Sequence, residues 1–422
     1  MTSPAARALA VRIPFFYGWV IVACAMCASF ARQAAAVATL SVFIVPMTGE
    51  FDWSRSEISG AVSLGGLLAA LVSPAVGTLI DRIGGRAVLT ASTLLIALTA
   101  ASLAWTQTLA WFYLVFSFGR MLFASPFDLG TSGAVANWFA RRRALAMSWL
   151  TVATGLSLAV MPLLAQLAID AHGWRAAWVT IALAVLVVGA LPNALLMVRR
   201  PEDVGLRTDG DAASPAFSPS VPRGTVRADE RRFTRAMALR TPAFWLLMLY
   251  TALIFPVQAG ISLHQAPHLI QRGIDATSAA GIVATFATAA AVSSLAFGWV
   301  GGRWPVRFGL SLAAGVTTAG AVLMLGVSGA TEGYLAALLF GSGIGGVLTL
   351  VPVAFAEYFG RRSYATVRGI ALPVQVVGQA VGPILAGVLH DLGGDYATSF
   401  STFAILAAGA TMLALFTRPP RR

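Results

Sequence analysis

The chain has 422 residues, of which 58% are hydrophobic and only 11% are charged. Soluble domains keep about a quarter of their residues charged, so this composition excludes an ordinary soluble enzyme or binding protein. The net charge of +12 alone would suit a nucleic-acid-binding protein, but the basic residues are distributed as in membrane proteins.

Apolar runs of about twenty residues, the length that crosses a bilayer as a helix, recur along most of the chain. They predict twelve membrane spans, over 17–42, 57–80, 87–105, 110–138, 144–168, 176–197, 243–268, 278–300, 308–328, 333–358, 367–390 and 396–417. All the basic residues are arginines, and those between spans lie on one side except Arg55, Arg175 and Arg272. The positive-inside rule makes the arginine-rich side the cytosol, so we predict a multi-pass protein of the bacterial inner membrane with both termini cytosolic.

One polar stretch, 199–241, interrupts the pattern and is rich in proline and serine. Such a composition predicts a flexible cytosolic linker. Its end, 229–240, is predicted to form a basic amphipathic helix on the inner membrane surface. The linker separates an N-terminal half, 1–198, from a C-terminal half, 242–422, each with six predicted spans.

The two halves repeat each other at an offset of about 220 positions. The matching segments are Gly77–Arg86 with Gly298–Arg307, Trp138 and Phe139 with Tyr358 and Phe359, and Pro162 and Asp170 with Pro383 and Asp391. Several matches at one offset, after equivalent spans, predict duplicated halves. Parallel repeats related by an axis along the membrane normal are one architecture of secondary transporters.

The segment Gly77-x-Leu79-x-Asp81-Arg82-x-Gly84-x-Arg86 resembles the cytosolic motif of the major facilitator superfamily between helices two and three. The resemblance implies an all-α membrane fold with twelve helices in two pseudo-symmetric six-helix halves. It also implies that the motif, with its charged residues Asp81, Arg82 and Arg86, is a latch for the outward-facing state. On physical grounds, Asp81 suits the positive end of a helix and an arginine partner. The second copy has Gly302 in place of the acid, so its latch should be weaker.

Four further segments resemble the bacterial monocarboxylate-porter and oxalate/formate-antiporter-like group. They are Phe16–Trp19, Phe51–Glu57, Gly173–Arg175 and Arg199–Leu206. The resemblance implies transport of small carboxylates or related organic anions, with protons or by exchange. Members of that group often bind substrate through a basic residue in helix eight or eleven. Neither predicted helix has a central charge here, so that site does not carry over.

Arg32 and Arg120 lie deep inside predicted spans one and four. A charge at such a depth costs about 2.5–3.5 kcal/mol even on the lenient insertion scale, so each should face a cavity or a partner. In the resembled family, helices one and four line the central cavity, and Arg120 corresponds to an arginine proposed to couple protons. We predict that both arginines bind an anionic substrate. The alternative is a structural role, in which they cap carbonyl groups or bridge helices.

Asp128, in the same predicted span as Arg120, either balances Arg32, serves as a protonation site, or stays neutral and bonded to backbone. His264 is a candidate for proton entry or gating. The amides predicted inside spans are candidates for substrate binding or for bonds between helices. They are Gln33, Gln258, Gln375 and Gln379.

These observations predict a secondary active transporter that moves a small organic anion, a mono- or dicarboxylate, by alternating access, proton-coupled or by exchange. The alternative is efflux or uptake of drug-like or siderophore-like compounds by the same fold. No clustered catalytic set is evident, so we expect no enzyme activity, no cofactor and no metal. We expect a monomer in the lipid bilayer whose partners are its substrate and protons, with no nucleic acid.

Overall fold

The computed structural model describes residues 4–210 and 233–420, and these ranges are helical apart from short turns. The helices are α1 (Pro4–Arg12), α2 (Gly18–Ala31), α3 (Val37–Phe51), α4 (Arg55–Ile83), α5 (Gly85–Leu103), α6 (Leu109–Ala124), α7 (Pro126–Trp138), α8 (Arg143–Ala184), α9 (Leu191–Leu196), α10 (Arg235–Leu239), α11 (Pro242–Gln271), α12 (Ala276–Gly301), α13 (Val306–Leu325), α14 (Ala330–Phe359), α15 (Tyr364–Gly393) and α16 (Ala397–Phe416). The helix predicted over 229–240 is described only in part, as α10. Residues 229–232 and most of the Pro/Ser-rich stretch lie outside the described residues.

Eleven helical stretches of the described chain are long and apolar enough to cross a membrane. One of them, Arg143–Leu196, has 54 residues, more than twice what a bilayer requires. The chain turns inside it at Gly173, whose φ of 81° is accessible to glycine at little cost. This stretch therefore supplies two spans, and the total of twelve confirms the predicted fold class.

Two spans that the sequence predicts as continuous helices are broken, so this part of the prediction is wrong. The first changes after α2 into a 3₁₀ turn, Arg32–Ala35, and then into extended backbone at Ala36, where ψ is 152°. The fourth breaks at Ser125, between α6 and α7. Pro126 explains the second break, because proline has no N–H for the helical hydrogen bond and its ring clashes with the preceding turn. Alanine is the best helix former, so nothing in the local sequence explains the first.

The chain divides into two compact units that do not follow chain order. Unit 1 comprises Met1–Arg142, Ala153–Phe233 and Phe359–Pro373. Unit 2 comprises Arg143–Val152, Thr234–Tyr358 and Val374–Arg422. The first turns of α15 thus belong to unit 1, and the first turns of α8 belong to unit 2.

In unit 1, the end of α4 packs against the first turns of α15, and we call this contact the α15 seam. It consists of Ser73, Gly77 and Asp81 on one side and Ala365 to Gly369 on the other. The Ser73 hydroxyl donates to the Gly369 carbonyl at 3.0 Å. A Cβ at Gly77 would collide with the Ala365 carbonyl oxygen, so glycine is required for this close approach.

In unit 2, the end of α12 packs in the same manner against the first turns of α8, and we call this contact the α8 seam. The Ser294 hydroxyl donates to the Ser148 carbonyl at 3.4 Å. A Cβ at Gly298 would lie 2.8 Å from the Ala144 carbonyl oxygen. Each contact maps onto its counterpart in the α15 seam by the shift of about 220 positions seen in the sequence. The repeat is therefore present in the packing of both units.

Two of the short segments that resemble the monocarboxylate-porter group meet at one end of unit 1, where the Arg175 guanidinium carbon lies 5.8 Å from the ring centroid of Phe51. The segment Gly173–Arg175 also contacts Glu50, the residue just before the segment Phe51–Glu57. The Arg175 guanidinium binds both carboxylate oxygens of Glu50, at 2.6 and 2.8 Å, and the Trp174 indole N–H donates to the same group at 2.8 Å. Nearby, Ser54 and Glu57 form a reciprocal capping box that starts α4. These residues fix the helix ends and thus have a structural role.

Candidate functional site

The structure brings Arg32 and Arg120 together around one aromatic ring in unit 1. Their guanidinium carbons lie 4.8 and 4.2 Å from the ring centroid of Phe123, which is within cation–π range for both. Arg32 begins the 3₁₀ turn that interrupts the first span, and Arg120 lies on α6 just before the break at Ser125. Both charged side chains are therefore at points where a membrane helix is discontinuous, a feature of substrate sites in many transporters.

The helix breaks leave buried polar atoms without hydrogen-bond partners among the described residues. These atoms are Arg32 Nε, Gln33 Oε1, Arg120 Nε and Ser125 Oγ. Gln33 and Ser125 are 1% and 0% exposed. The only hydrogen bond to either guanidinium in this part of the chain is a long one, 3.5 Å from Arg120 Nη1 to the Ala35 carbonyl. Because buried polar groups are normally paired, this set of atoms is suited to a polar ligand.

Asp128 is paired with an arginine that is not among the site residues predicted from the sequence. Its carboxylate accepts a hydrogen bond from Arg368 Nη2 at 2.9 Å, and the two side chains are 23% and 3% exposed. The partner is therefore Arg368 on α15, not Arg32, although Asp128 also acts electrostatically on Arg32. Asp128 also lies in the first turn of α7, where the helix dipole favours a carboxylate.

A sequence signal for this pair existed but was incomplete. A carboxylate inside a span requires a cation, and Arg368 lies just inside the predicted span 367–390. The two residues are 240 positions apart, so only the fold can show that they meet. With Arg32, Arg120 and Arg368 against Asp128, this interior region of unit 1 carries a net positive charge.

The Asp81 carboxylate lies at the start of α15 and accepts a hydrogen bond from the Thr366 N–H at 2.7 Å. A carboxylate at this position interacts favourably with the positive end of the helix dipole, as the sequence predicted. Arg199 donates to the main-chain carbonyl of Asp81 at 2.6 Å and also interacts electrostatically with the carboxylate, so an arginine partner for this acid stays a prediction. Arg86 donates to the Ala194 carbonyl at 2.7 Å, while Arg82 is exposed.

The candidate residues of unit 2 are bonded to each other or to nearby elements. Gln379 donates to Gln258 at 3.2 Å, so these two amides join α15 to α11. Gln375 is buried on the same helix as Gln379. The His264 ring nitrogens lie 3.3 Å from the Tyr396 hydroxyl and 3.1 Å from the Pro383 carbonyl. A substrate or gating role for these residues remains a prediction.

Comparison with known proteins agrees with this fold. A family model described as the Major Facilitator Superfamily matches residues 21–378 and 272–422, so the chain belongs to this superfamily and is a multi-pass membrane transporter. Human Monocarboxylate transporter 11 is 26% identical over 397 residues, which cover 91% of this chain and 79% of the relative. The Gentisate transporter of Corynebacterium glutamicum is 27% identical over 383 residues, which cover 86% of this chain and 81% of the relative.

Solved structures show the same architecture. The crystal structure of the human organic anion transporter MFSD10 superposes with a TM-score of 0.71 at 16% identity, covering 96% of this chain and 100% of that one. The transporter FucP, in the outward conformation, gives a TM-score of 0.67 at 13% identity, covering 93% and 98%. The predicted resemblance to the superfamily is thus confirmed, and the relatives are transporters rather than enzymes.

Proposed function

We propose that the protein is a secondary active transporter that carries a small organic anion of the mono- or dicarboxylate class across the bacterial inner membrane by alternating access. Both termini face the cytosol, and the protein functions as a monomer. The observation that carries the proposal is the pair of arginines, Arg32 and Arg120, whose guanidinium groups both lie against the ring of Phe123 next to helix breaks. The Nε atom of each arginine has no hydrogen-bond partner among the described residues.

The arginine pair is chemically matched to a carboxylate. A guanidinium presents parallel N–H donors that fit the two oxygens of a carboxylate, and low exposure strengthens such charge-assisted bonds. Gln33, whose Oε1 has no partner among the described residues, is next to Arg32 and suits a hydroxyl group of the substrate. The relatives named for monocarboxylate and gentisate transport support an anionic cargo.

Asp128 and Arg368 are suited to couple transport to protons. A proton that binds the Asp128 carboxylate removes its negative charge and weakens the 2.9 Å ion pair, which frees Arg368 to bind an anion. When the anion and the proton leave on the other side, the pair forms again. The carboxylate carries one proton per cycle in this scheme, and Arg368 links proton binding to substrate binding.

The test is binding and uptake with substituted arginines. Arg32→Gln or Arg120→Gln removes a charge-assisted bond worth about 1.5–3 kcal/mol, so affinity should fall roughly ten- to a hundredfold while the protein stays folded. Arg→Lys should restore affinity only in part, because an ammonium lacks the planar fork. Lactate and gentisate are the probes, measured by calorimetry on purified protein and by uptake into proteoliposomes with an imposed pH gradient.

Arg303→Gln is the matched control, since Arg303 also stacks on an aromatic ring, Trp299, at 3.5 Å, but lies at the exposed end of a span. Melting temperatures of all variants separate loss of binding from loss of structure. Normal affinity in both site variants, with lower melting temperatures, would mean that the arginines are structural. Preference for cationic drug-like compounds over all carboxylates would favour the efflux alternative.

A further inference from the structure

A separate pocket of about 670 Å³ lies in unit 1, at the ends of α5 and α9 and beside α1. Its polar lining consists of Arg7, Arg86, Arg199, Asp203 and Thr90. Its apolar lining includes Ile83, Ala87, Ala91 and Leu94. We propose that this pocket binds an anionic phospholipid, with the phosphate held by the arginines and an acyl chain lying along α5.

The polar part of the pocket is a converging set of cations. Arg7 comes from α1, Arg86 from the first turn of α5 and Arg199 from the segment after α9. Bonds to main-chain carbonyls hold Arg86 and Arg199 in place, at 2.7 and 2.6 Å. Three guanidinium groups against the single carboxylate of Asp203 leave a net positive charge, and arginine matches phosphate oxygens in the same bidentate manner as a carboxylate.

A second observation points to a ligand. Thr90 lines the pocket and is partly buried, and its hydroxyl has no hydrogen-bond partner among the described residues. A hydroxyl in such a place normally finds an acceptor. A phosphate or ester oxygen of a bound lipid would supply one.

The apolar lining favours a lipid over a free phosphate. Ala87, Ala91 and Leu94 follow one another on α5 at intervals of four and three residues and thus form one stripe, and Ile83, the last residue of α4, lines the pocket with them. Ile83 and Leu94 are 51% and 48% exposed, although they are large apolar side chains. The stripe begins at the end of a membrane span and runs along it, where acyl chains lie. Basic pockets at the ends of spans are where anionic headgroups bind membrane proteins.

The test uses the full-length protein in nanodiscs. Phosphatidylcholine discs with increasing fractions of phosphatidylglycerol are compared by native mass spectrometry, which counts retained lipids, and by melting temperature. The wild type should retain phosphatidylglycerol selectively and melt at a higher temperature as its fraction rises. Arg7→Glu should weaken retention by about tenfold or more, because it replaces one phosphate ligand by a repelling charge.

Arg12→Glu is the matched control, since Arg12 is exposed on the same helix, α1, but does not line the pocket. It should retain lipid like the wild type. Ala91→Phe, which fills the apolar stripe from an exposed position, should reduce retention without changing any charge. Circular dichroism and gel filtration establish that each variant is folded.

Three results would overturn the proposal. The first is that the two single variants, Arg7→Glu and Ala91→Phe, both retain phosphatidylglycerol as well as the wild type does. The second is an equal loss in Arg12→Glu, which would indicate general attraction between charges. The third is an equal rise in melting temperature when glycerol phosphate is added to lipid-free protein in detergent, which would make the pocket a site for soluble phosphates.

Discussion

The α15 seam of unit 1 and the α8 seam of unit 2 have the same packing and different charges. In both, a serine hydroxyl and a close glycine join the end of one helix to the first turns of another. Beside the α15 seam lie Asp81 and the Asp128–Arg368 pair. The corresponding positions around the α8 seam carry Gly302, Thr349 and Met147, none of which is charged.

The comparison separates the residues that both seams use for close packing from the charged residues at positions that are uncharged in the other seam. Close helix packing needs small residues and a serine–carbonyl bond, and both copies retain them. The unit 2 position that matches Asp128 is held by a neutral bond, since Thr349 and Thr151 lie 3.2 Å apart. In unit 2 a neutral bond therefore takes the place of the Asp128–Arg368 pair, although the α8 seam has charges of its own, since buried Arg143 at the start of α8 interacts electrostatically with Glu357. The Asp128–Arg368 pair is thus not required for this type of packing, and we have proposed that it couples transport to protons.

The largest effect on stability is expected when one residue of the Asp128–Arg368 pair is replaced and the other is left in place. Arg368→Met, which copies Met147, leaves Asp128 without its cation, and breaking a buried pair in this way costs about 3–5 kcal/mol. Because Asp128 keeps 23% exposure, we expect a value near the lower end of that range. The melting temperature of the purified protein near pH 7 measures it.

The double variant Arg368→Met with Asp128→Thr sharpens the comparison, since it gives unit 1 the neutral residues of unit 2. Replacement of both partners by uncharged groups is often neutral or stabilising, so most of the lost stability should return. Proton-driven uptake should not return if the pair couples transport. A double variant that transports at the wild-type rate would show that the pair is only structural.

A smaller effect is expected at the helix end. Asp81→Asn removes a carboxylate from the start of α15, and such an interaction is worth about 0.3–1 kcal/mol, or up to about 2 when partly buried. Gly302→Asp adds an acid at the matching place in unit 2, where φ of −80° accepts any residue. We expect Asp81→Asn to slow uptake more than Gly302→Asp does, at equal expression in proteoliposomes. Equal rates in both variants and the wild type would mean that neither motif is a working latch.

The smallest effect on stability concerns an ion pair whose carboxylate is about half exposed, between Glu202 and the buried Arg361. Burial alone would raise the pKa of Glu202, but the hydrogen bond from Arg361 at 2.5 Å holds that pKa below its usual range. A carboxyl whose pKa is lower in the folded state adds stability above its unfolded pKa of about 4.3, and loses this contribution as the pH falls through its folded pKa. Since Glu202 is 47% exposed, Glu202→Gln should cost no more than about 1 kcal/mol near pH 7.

Melting curves of the wild type and Glu202→Gln, measured near pH 7 and again below about pH 4, test this assignment. The difference between the two proteins should shrink at the lower pH. A difference that grows there would contradict the lowered pKa.

Patterns along the chain were sufficient to predict the fold class and to select two residues of the candidate site, Arg32 and Arg120. Span lengths, arginine placement and the repeat depend on local composition, so they predicted twelve spans. The cost of a charge in a membrane was sufficient to mark Arg32 and Arg120. The break at Ala36 was not predictable from helix propensity, because alanines favour helix. Pro126 was a visible signal for the other break, although the long apolar run around it predicted a continuous span.

The hydrogen-bond partners of the two acids were harder to predict than the importance of the acids themselves. The sequence suggested an arginine partner for Asp81 without naming one, and it offered Arg32 as one of three alternatives for Asp128. Their partners, Thr366 and Arg368, come from the segment Phe359–Pro373, far along the chain. A repeat shows which residues are equivalent, but it does not show that the first turns of α15 pack into unit 1.

That placement of Phe359–Pro373 has a consequence for biosynthesis. Asp128 enters the membrane with α7, and the ribosome must add 240 more residues before Arg368 exists. Until then the nascent chain holds a carboxylate that has no Arg368 to neutralise it, and its α4 end lacks the turns of α15 against which it packs. Most of unit 1 is translated early, but the segment Phe359–Pro373 that completes it is translated late. A chain that stops after the linker is therefore an incomplete unit 1, in which Asp128 lacks its hydrogen-bonded cation and the end of α4 lacks its packing partner.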